Sequence, residues 1–309
     1  MVLTLLTLAC ALRLDPVDPG DKPEDGGGTD ETGEPDDSGP VDTSPPLPCD
    51  VPEVEPNNPI SAAQDLPMEK WACGTFSTGD IVEVFKFDNE EGGWLRVWGR
   101  AFEIGSVADI LLSVASDDGL YGASRLSNPD STDADMVFFV DRDYTFYATL
   151  AEQYGRSGDA YRWEMMASMV KEPVEFDSTE AADNNSASTA GTVTFGDRVF
   201  GRIDSTTDVD WFAFDLPEGR TDLLIDVDAW YFGSPADTRI ELFKPDGESF
   251  RESGSRADSP EGYDLDPYLS ASVTEGGRWT VKIFPEPKSE TGAGGGGRAY
   301  WYVLKIQEQ

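Results

Sequence analysis

Over short segments of this chain, apolar and polar residues alternate with a period of two rather than with the 3.6-residue period of an amphipathic helix. Phe85 and Phe87, for example, alternate with Val84, Lys86 and Asp88. Similar segments occupy residues 223–227, 240–243, 279–283 and 300–306. Asp-Gly, Gly-Gly and Ser-Pro pairs, which are typical of turns, separate them. The pattern predicts an all-β chain, with at most one helical turn near residues 61–64.

The same pattern occurs twice beyond residue 50, at a spacing near 127 residues. The matched segments, in order, are Asn57-Asn58 with Asn184-Asn185, Gly74-Thr75-Phe76 with Gly201-Arg202-Ile203, Phe85 and Phe87 with Phe212 and Phe214, Gly105–Asp109 with Gly233–Asp237, and Asp118-Gly119 with Asp246-Gly247. A repeat of this length is a whole domain rather than a solenoid unit. Each copy is therefore predicted to be a jelly-roll-like β-sandwich of roughly seven or eight strands.

The residues before the repeat have a different composition. From Asp15 to about Asp50, acidic residues, Gly, Pro, Ser and Thr dominate, and almost nothing is available to form a core. Such a segment is predicted to be a disordered, charge-extended spacer. The expected organisation is a signal-like segment at 1–10, an acidic linker at 11–50, a first sandwich at 51–171 and a second at 172–309.

The chain begins with a short apolar run from Val2 to Ala9 that is followed by Cys10. This segment resembles a bacterial lipoprotein signal, in which that cysteine receives the lipid. The resemblance implies an exported protein, anchored by lipid at the bacterial outer membrane or cell surface. A cytosolic N-terminus with a chance cysteine is the alternative. If Cys10 carries lipid, Cys49 and Cys73 remain as a pair, which we expect to form a disulfide at the start of the first sandwich.

Charge and composition exclude several classes of function. The chain has 60 acidic and 23 basic residues, no histidine and a net charge of −37. Such a field repels nucleic acids and anionic lipid headgroups. The absence of histidine excludes Ser-His-Asp and Cys-His nucleophile systems and histidine-ligated zinc. The acidity favours hard cations, above all calcium, although a solvated acidic surface is the simpler explanation for most of the charge.

The ordered motifs give each copy a resemblance to the bacterial pre-peptidase C-terminal domain, a β-sandwich module of secreted peptidases and surface proteins. The motifs are Glu53-Val54-Glu55-Pro56-Asn57-Asn58, Gly74-Thr75-Phe76 and Gly105–Asp109 in the first copy, and Gly201-Arg202-Ile203, Asp208-Val209-Asp210-Trp211-Phe212 and Gly233–Asp237 in the second. Glu83 departs from the family pattern, because an aspartate is usual there. The resemblance implies modules that accompany catalysis without performing it.

The opening of the first copy is the candidate metal site. Glu53, Glu55 and Asn57 alternate, so in an extended segment their side chains share one side, and Asp80 and Glu83 belong to a strand expected nearby. Resemblance to the calcium-binding collagenase modules implies six ligands: Glu53, Glu55, Asn57, Asn58, Asp80 and Glu83. In the second copy Asn184, Asp208 and Asp210 form a weaker calcium candidate, because Ala182 replaces the second opening acid. The alternative is a polar strand start with turn-forming asparagines.

These features predict a non-catalytic binding or adhesion lipoprotein, stabilised by calcium as its cofactor. The expected ligand is an extracellular protein or polysaccharide, the only membrane contact is the N-terminal lipid, and the chain is expected to be a monomer that binds no nucleic acid. Two alternatives are an accessory module for a secreted peptidase or other hydrolase, and a carboxylate-only glycan hydrolase. Four tryptophans are expected in the core, with a sugar-stacking platform as the alternative: Trp211, Trp230, Trp279 and Trp301.

Overall fold

Two pairs of β-sheets make up the structure, a computed structural model that describes residues 49–116, 119–124, 133–253, 266–286 and 296–309. Ten strands belong to the first pair: β1 (Val51–Pro52), β2 (Gln64–Asp65), β3 (Ala72–Thr75), β4 (Val82–Asn89), β5 (Gly93–Arg100), β6 (Ile110–Ser116), β7 (Gly119–Ser124), β8 (Ala134–Val140), β9 (Tyr144–Glu152) and β10 (Arg162–Val170). Cys10 and the acidic linker up to residue 48 lie outside the described residues, as does the Asp118 turn.

Another ten strands form the second pair of sheets: β11 (Ser178–Thr179), β12 (Gly191–Thr192), β13 (Arg198–Arg202), β14 (Asp210–Leu216), β15 (Thr221–Asp228), β16 (Thr238–Phe243), β17 (Ser249–Ser253), β18 (Tyr268–Val273), β19 (Gly277–Pro285) and β20 (Trp301–Glu308). Short 3₁₀ turns at Ile60–Ala62, Phe102–Ile104, Ala187–Thr189 and Trp230–Phe232 connect some of the strands. No helix within the described residues has the length and apolar character needed to cross a membrane.

The sheets repeat their topology. The first sandwich has strand orders β1-β3-β10-β5-β8 and β2-β4-β9-β6-β7, and adding ten to each number gives the two orders of the second sandwich. The predicted fold class, all-β with two tandem sandwiches, is therefore confirmed. Within the described residues each copy has ten strands rather than the predicted seven or eight, because its first two strands are only two residues long. Two residues are too few to show an alternating pattern.

Alternation along the strands places large apolar side chains between the sheets of each sandwich. Phe85 and Phe87 of β4 are buried, whereas Asp88 of the same strand is exposed. Trp163 in the first sandwich and Trp279 in the second are also fully buried. Burying an aromatic side chain of this size contributes about 1.5–3 kcal/mol. These residues explain how so acidic a chain retains a packed core.

A buried aspartate in each copy holds the 3₁₀ turn that follows β5 in the first sandwich and β15 in the second. Asp133 accepts hydrogen bonds from the backbone N–H groups of Ala101, Phe102 and Glu103. Asp266 does the same in the second copy, from three consecutive N–H groups at 229–231. These carboxylates satisfy donors that a short turn leaves unpaired. The sequence does not reveal this role, because the two aspartates lie about 30 residues or more from the turns they hold.

The two sandwiches share a packed junction within the compact unit Ser44–Gln309. Trp94 of β5 makes an edge contact with Trp301 of β20, with ring centroids 5.1 Å apart. The indole N–H of Trp301 donates to the carbonyl of Val137 at 2.6 Å, and the Val137 N–H donates to the carbonyl of Gly233 at 2.8 Å. Gly233 has a φ of 88°, and a Cβ there would lie 2.8 Å from Val137 Cγ2. The approach of the two backbones therefore requires glycine at this position.

Candidate metal centre

The opening segment of the first sandwich crosses from one sheet to the other and carries the candidate acids with it. Its first strand, β1, pairs with β3, and its second, β2, pairs with β4 of the opposite sheet. Glu53 and Glu55 lie on the crossing between them, and the Glu53 N–H donates to the carbonyl of Cys73 at 3.0 Å. Glu83 is the second residue of β4, and Asp80 lies two residues before that strand begins. The topology thus brings residues about 30 positions apart to one end of the sandwich.

Four carboxylates converge there. Glu53, Glu55, Asp80 and Glu83 each offer an oxygen, and these four atoms lie within 4.8 Å of one another. Calcium binds oxygen at about 2.3–2.6 Å, so two ligands on opposite sides of the ion are about 4.8 Å apart. The spacing fits ligands that share one such ion.

The inner part of the cluster lacks the partners that buried oxygens normally have. Glu83 is fully buried, and neither of its carboxylate oxygens has a hydrogen-bond partner. Oε1 of Glu53 is also buried without a partner. No lysine or arginine among the described residues forms an ion pair with any of the four acids. Because unpaired buried polar groups are rare and costly, these oxygens point to a cation as their partner.

Burial and mutual repulsion change the acidity of the cluster. Desolvation, followed by the close negative charges of Glu53 and Asp80, raises the pKa of Glu83 to about 10. Desolvation, together with the neighbouring carboxylates of Glu53 and Asp80, raises the pKa of Glu55 to about 7. Both shifts have the direction expected when several carboxylates share one site without a neutralising charge. A divalent cation would supply that charge and favour the ionised forms.

The two asparagines of the opening have different surroundings. Asn57 is fully buried, and neither its side-chain oxygen nor its nitrogen has a hydrogen-bond partner. Asn58 donates its amide hydrogens to Asp80 and to the carbonyl of Val82, the latter at 2.8 Å. In this geometry Asn57 has an oxygen available for a cation, whereas Asn58 orients the Asp80 carboxylate. The structure thus brings four of the six predicted ligands together, with Asn58 in a positioning role on Asp80. Asn57 is joined to the cluster through its backbone N–H, which donates to Glu55 Oε2 at 3.2 Å.

Close packing of a glycine makes room for the cluster. At Gly74 on β3, a Cβ atom would overlap both the Glu53 carboxylate and the Trp163 ring. The Thr75 N–H donates to Glu53 Oε2 at 3.3 Å, which orients that carboxylate. Cys73, the neighbour of Gly74, is joined to Cys49 by a disulfide with a Cα–Cα distance of 5.9 Å. The bridge ties the chain before β1 to the strand that borders the cluster.

The corresponding place in the second sandwich contains a tyrosine. The Tyr302 hydroxyl lies 2.7 Å from Asp210 Oδ2 and 3.3 Å from Glu180 Oε2, and it donates to this pair of acids. Asn184 donates to Glu180 at 3.3 Å. Asp208 accepts from the backbone N–H of residue 204 at 2.7 Å and, with the Asn185 amide turned to donate, from Asn185 at 3.1 Å.

Burial also raises the pKa of the acids in the second sandwich. Desolvation and the charge of Glu180 raise the pKa of Asp210 to about 8, and desolvation raises the pKa of Glu180. Burial raises the pKa of the Tyr302 hydroxyl as well, so it remains a donor. The three predicted residues Asn184, Asp208 and Asp210 are thus near one another, but Asp208 and Asp210 already accept hydrogen bonds from other protein groups.

Two residues of this second cluster, Glu180 and Tyr302, were not predicted from the sequence. Glu180 lies 127 positions after Glu53, so the repeat spacing itself could have identified it. Tyr302 pairs with Gly201 across the sheet, as Trp163 pairs with Gly74 in the first copy. Its role could not be found from the spacing, because only the hydroxyl that distinguishes it from Trp163 reaches the acids.

The tryptophans expected in the core are mostly there. Trp279 and Trp301 are fully buried and Trp230 nearly so, whereas Trp211 is partly exposed and packs on Phe243. A stacking platform made of these four rings is therefore excluded.

Comparisons with known proteins concern the fold. No family model matches the chain, and no curated protein matches it. A pre-peptidase C-terminal domain of collagenase from Bacillus anthracis is similar at 9% identity and a TM-score of 0.29, over 34% of this chain and 93% of that one. Tandem CBM51 modules of the family 98 glycoside hydrolase from Streptococcus pneumoniae are similar at 10% identity and a TM-score of 0.24, over 78% and 85%. The ANXUR2 extracellular domain of Arabidopsis thaliana is similar at 9% identity and a TM-score of 0.22, over 76% of this chain and 82% of that one.

Proposed function

We propose that this chain is an exported, non-catalytic binding protein, held at a bacterial cell surface by a lipid on Cys10, and that calcium stabilises its first sandwich. The observation that carries the calcium part is the cluster at the start of β4. Glu53, Glu55, Asp80 and Glu83 converge, and the buried oxygens among them have no other partner. Hard oxygen donors of this number suit calcium better than softer metals.

The same burial supports a non-catalytic role. In a carboxylate-only hydrolase, the two acids must flank a bond of the bound substrate. Glu83 and Asn57 are fully buried, so the inner part of this cluster is closed to a glycan chain. The chain also has no histidine for nucleophilic catalysis. A structural cation, enclosed at the end of a sandwich, is consistent with both facts.

Calcium binding is tested by metal analysis together with thermal unfolding of the full chain. After dialysis against calcium chloride and then against metal-free buffer, we expect about one calcium per chain in the metal analysis. The melting temperature should rise with excess calcium and fall with EGTA, whereas excess magnesium should have a much smaller effect. Equal melting temperatures in calcium and EGTA, together with no bound metal, would contradict the proposal.

The anchor and the binding role need separate experiments. Radiolabelled palmitate should enter the wild-type chain in bacterial cells and be absent from Cys10→Ala, and labelling of both would contradict the anchor. Pull-down from a surface extract should recover an extracellular protein or polysaccharide. Recovery of a secreted peptidase or other hydrolase alone would instead favour the accessory-module role.

A further inference from the structure

A cleft of about 330 Å³ lies at the junction of the two sandwiches. Its floor is the outer face of the sheet that contains β5, with Arg96 and Asp135, and its wall is the 3₁₀ turn Trp230–Phe232 of the second sandwich. Lys171, in the connection between the sandwiches, lies at its side. This volume is in the range of small-molecule sites, which are frequent where domains meet. The cleft lies in neither sandwich alone.

The polar groups of the floor are held in fixed positions. Arg96 donates to Asp135 through Nε at 2.9 Å and through Nη2 at 2.5 Å, a two-point ion pair. The Arg96 guanidinium also lies 4.5 Å from the centre of the Trp98 ring. Its Nη1 group is not used by Asp135 and remains available as a donor. A planar donor group beside a planar acceptor is therefore preorganised on the floor.

The wall presents an aromatic ring to solvent. Tyr231 is 52% exposed, although its backbone is fixed, because its N–H donates to the buried Asp266 carboxylate. Its ring packs edge-on against Phe232, with centroids 5.0 Å apart. Because the backbone of Tyr231 is already fixed, a ligand that stacks on the ring causes little further loss of backbone entropy.

Comparison of the two copies shows that the fold itself does not require this floor. The outward residues of β5 are Trp94, Arg96, Trp98 and Arg100, because Leu95 and Val97 point into the core. The repeat places Asp222, Leu224, Asp226 and Asp228 at the same positions of β15. A purely structural requirement of the sandwich would apply to both copies. The aromatic and guanidinium groups are therefore a property of the first copy and of its junction.

We propose that this cleft binds a neutral saccharide, an inference that rests on the proposed binding function and specifies its ligand. Sugar hydroxyls both donate and accept, which matches the Arg96–Asp135 pair, and the apolar face of a sugar ring can stack on Tyr231. The ion pair carries no net charge, so only Lys171 would favour an anion. The chain's net charge of −37 repels polyanions such as uronate polymers.

The test is affinity electrophoresis of the full chain, with calcium, in native gels that contain one soluble polysaccharide each. Xylan, galactomannan, hydroxyethylcellulose and dextran are the neutral probes, and polygalacturonate is the acidic comparator. At least one neutral probe should retard the protein. Tyr231→Ala should weaken that retardation about tenfold or more, equivalent to about 1.4 kcal/mol. Tyr154→Ala is the matched control, since Tyr154 is 64% exposed but does not line the cleft.

Three results would overturn the inference: no retardation by any neutral probe, equal retardation of wild type and Tyr231→Ala, or retardation by polygalacturonate alone. Melting curves of both variants should match the wild type, which separates lost binding from lost folding. If a neutral probe retards wild type and Tyr231→Ala equally, the cleft is not the saccharide site, but the proposed binding function still holds. A calcium-dependent melting temperature without any retardation would leave the calcium-stabilised module intact.

Discussion

Replacement of Glu83 by glutamine separates the charge of this side chain from its shape. Glu83 is fully buried, its two oxygens lack partners, and desolvation raises its pKa to about 10 without a cation. Near neutral pH the carboxyl group therefore carries its proton in the cation-free protein. Glutamine has nearly the same shape and is also neutral, so Glu83→Gln should change the free energy of unfolding in EGTA by no more than about 1 kcal/mol.

With calcium the two proteins should differ. Ionising Glu83 near pH 7 costs up to about 4 kcal/mol, from three pKa units at about 1.4 kcal/mol each. Water that reaches exposed Glu55 screens the cluster, which keeps the free-energy cost of ionising Glu83 below this limit. A cation at a hundred times its Kd adds about 2.7 kcal/mol to the wild-type stability. A variant with a hundredfold weaker Kd would gain only about 0.4 kcal/mol at the same concentration.

The assay is urea unfolding of wild type and variant near pH 7, each with excess calcium and with EGTA. Asp210→Asn is the matched control, because Asp210 lies 127 positions after Glu83, in the second sandwich. We expect this control to keep the wild-type calcium increment. An equal calcium increment in wild type and Glu83→Gln would refute the assignment of Glu83 as a ligand. A large loss of stability of Glu83→Gln in EGTA would refute its protonated state.

Three further predictions concern Glu55, Tyr302 and Gly233. Because burial raises the pKa of Glu55 to about 7, the cation-free protein should lose stability as the pH rises from about 4.5 to about 7, and calcium affinity measured by titration calorimetry should increase over the same range. Glu55→Gln should remove this contribution and leave the pH dependence that Glu83 supplies. Tyr302→Phe removes the donor to buried Asp210 and partly buried Glu180 and should lower the free energy of unfolding by about 1–3 kcal/mol. An unchanged urea midpoint would contradict this role. Gly233→Ala should lower the melting temperature more than Gly247→Ala, since both have φ near 88° but only Gly233 has a close neighbour across the junction; equal losses would contradict the packing reason.

Much of the fold follows from local pattern. The alternation around Phe85 and Phe87 predicts strands because successive side chains of a strand point to opposite faces. The repeat at about 127 residues predicts two copies of one domain, and the two matching sheet orders have this arrangement. Strands such as β1 and β2 could not be predicted. Each has only two residues, and these are in a strand because they pair with β3 and β4, not because of their own composition.

The candidate site also has a part that the sequence predicts and a part that it does not. Glu53, Glu55 and Asn57 can be placed on one side of an extended segment from their spacing alone. Their proximity to Glu83 depends on the crossing of the chain from one sheet to the other, a contact over about 30 residues. The donor role of Asn58 toward Asp80 depends on that same crossing.

The sequence by itself determined the alternation, the duplication, the acidity and the identity of the acids, because each is a property of residue type and order. Only the tertiary structure decided which acids lose their water. Glu83 is buried without a partner, whereas Asp210, at the equivalent position, receives a hydrogen bond from Tyr302. It also decided that Tyr231 and Arg96, from different copies, line one cleft. Desolvation and contact depend on distances in space, which residue order does not contain.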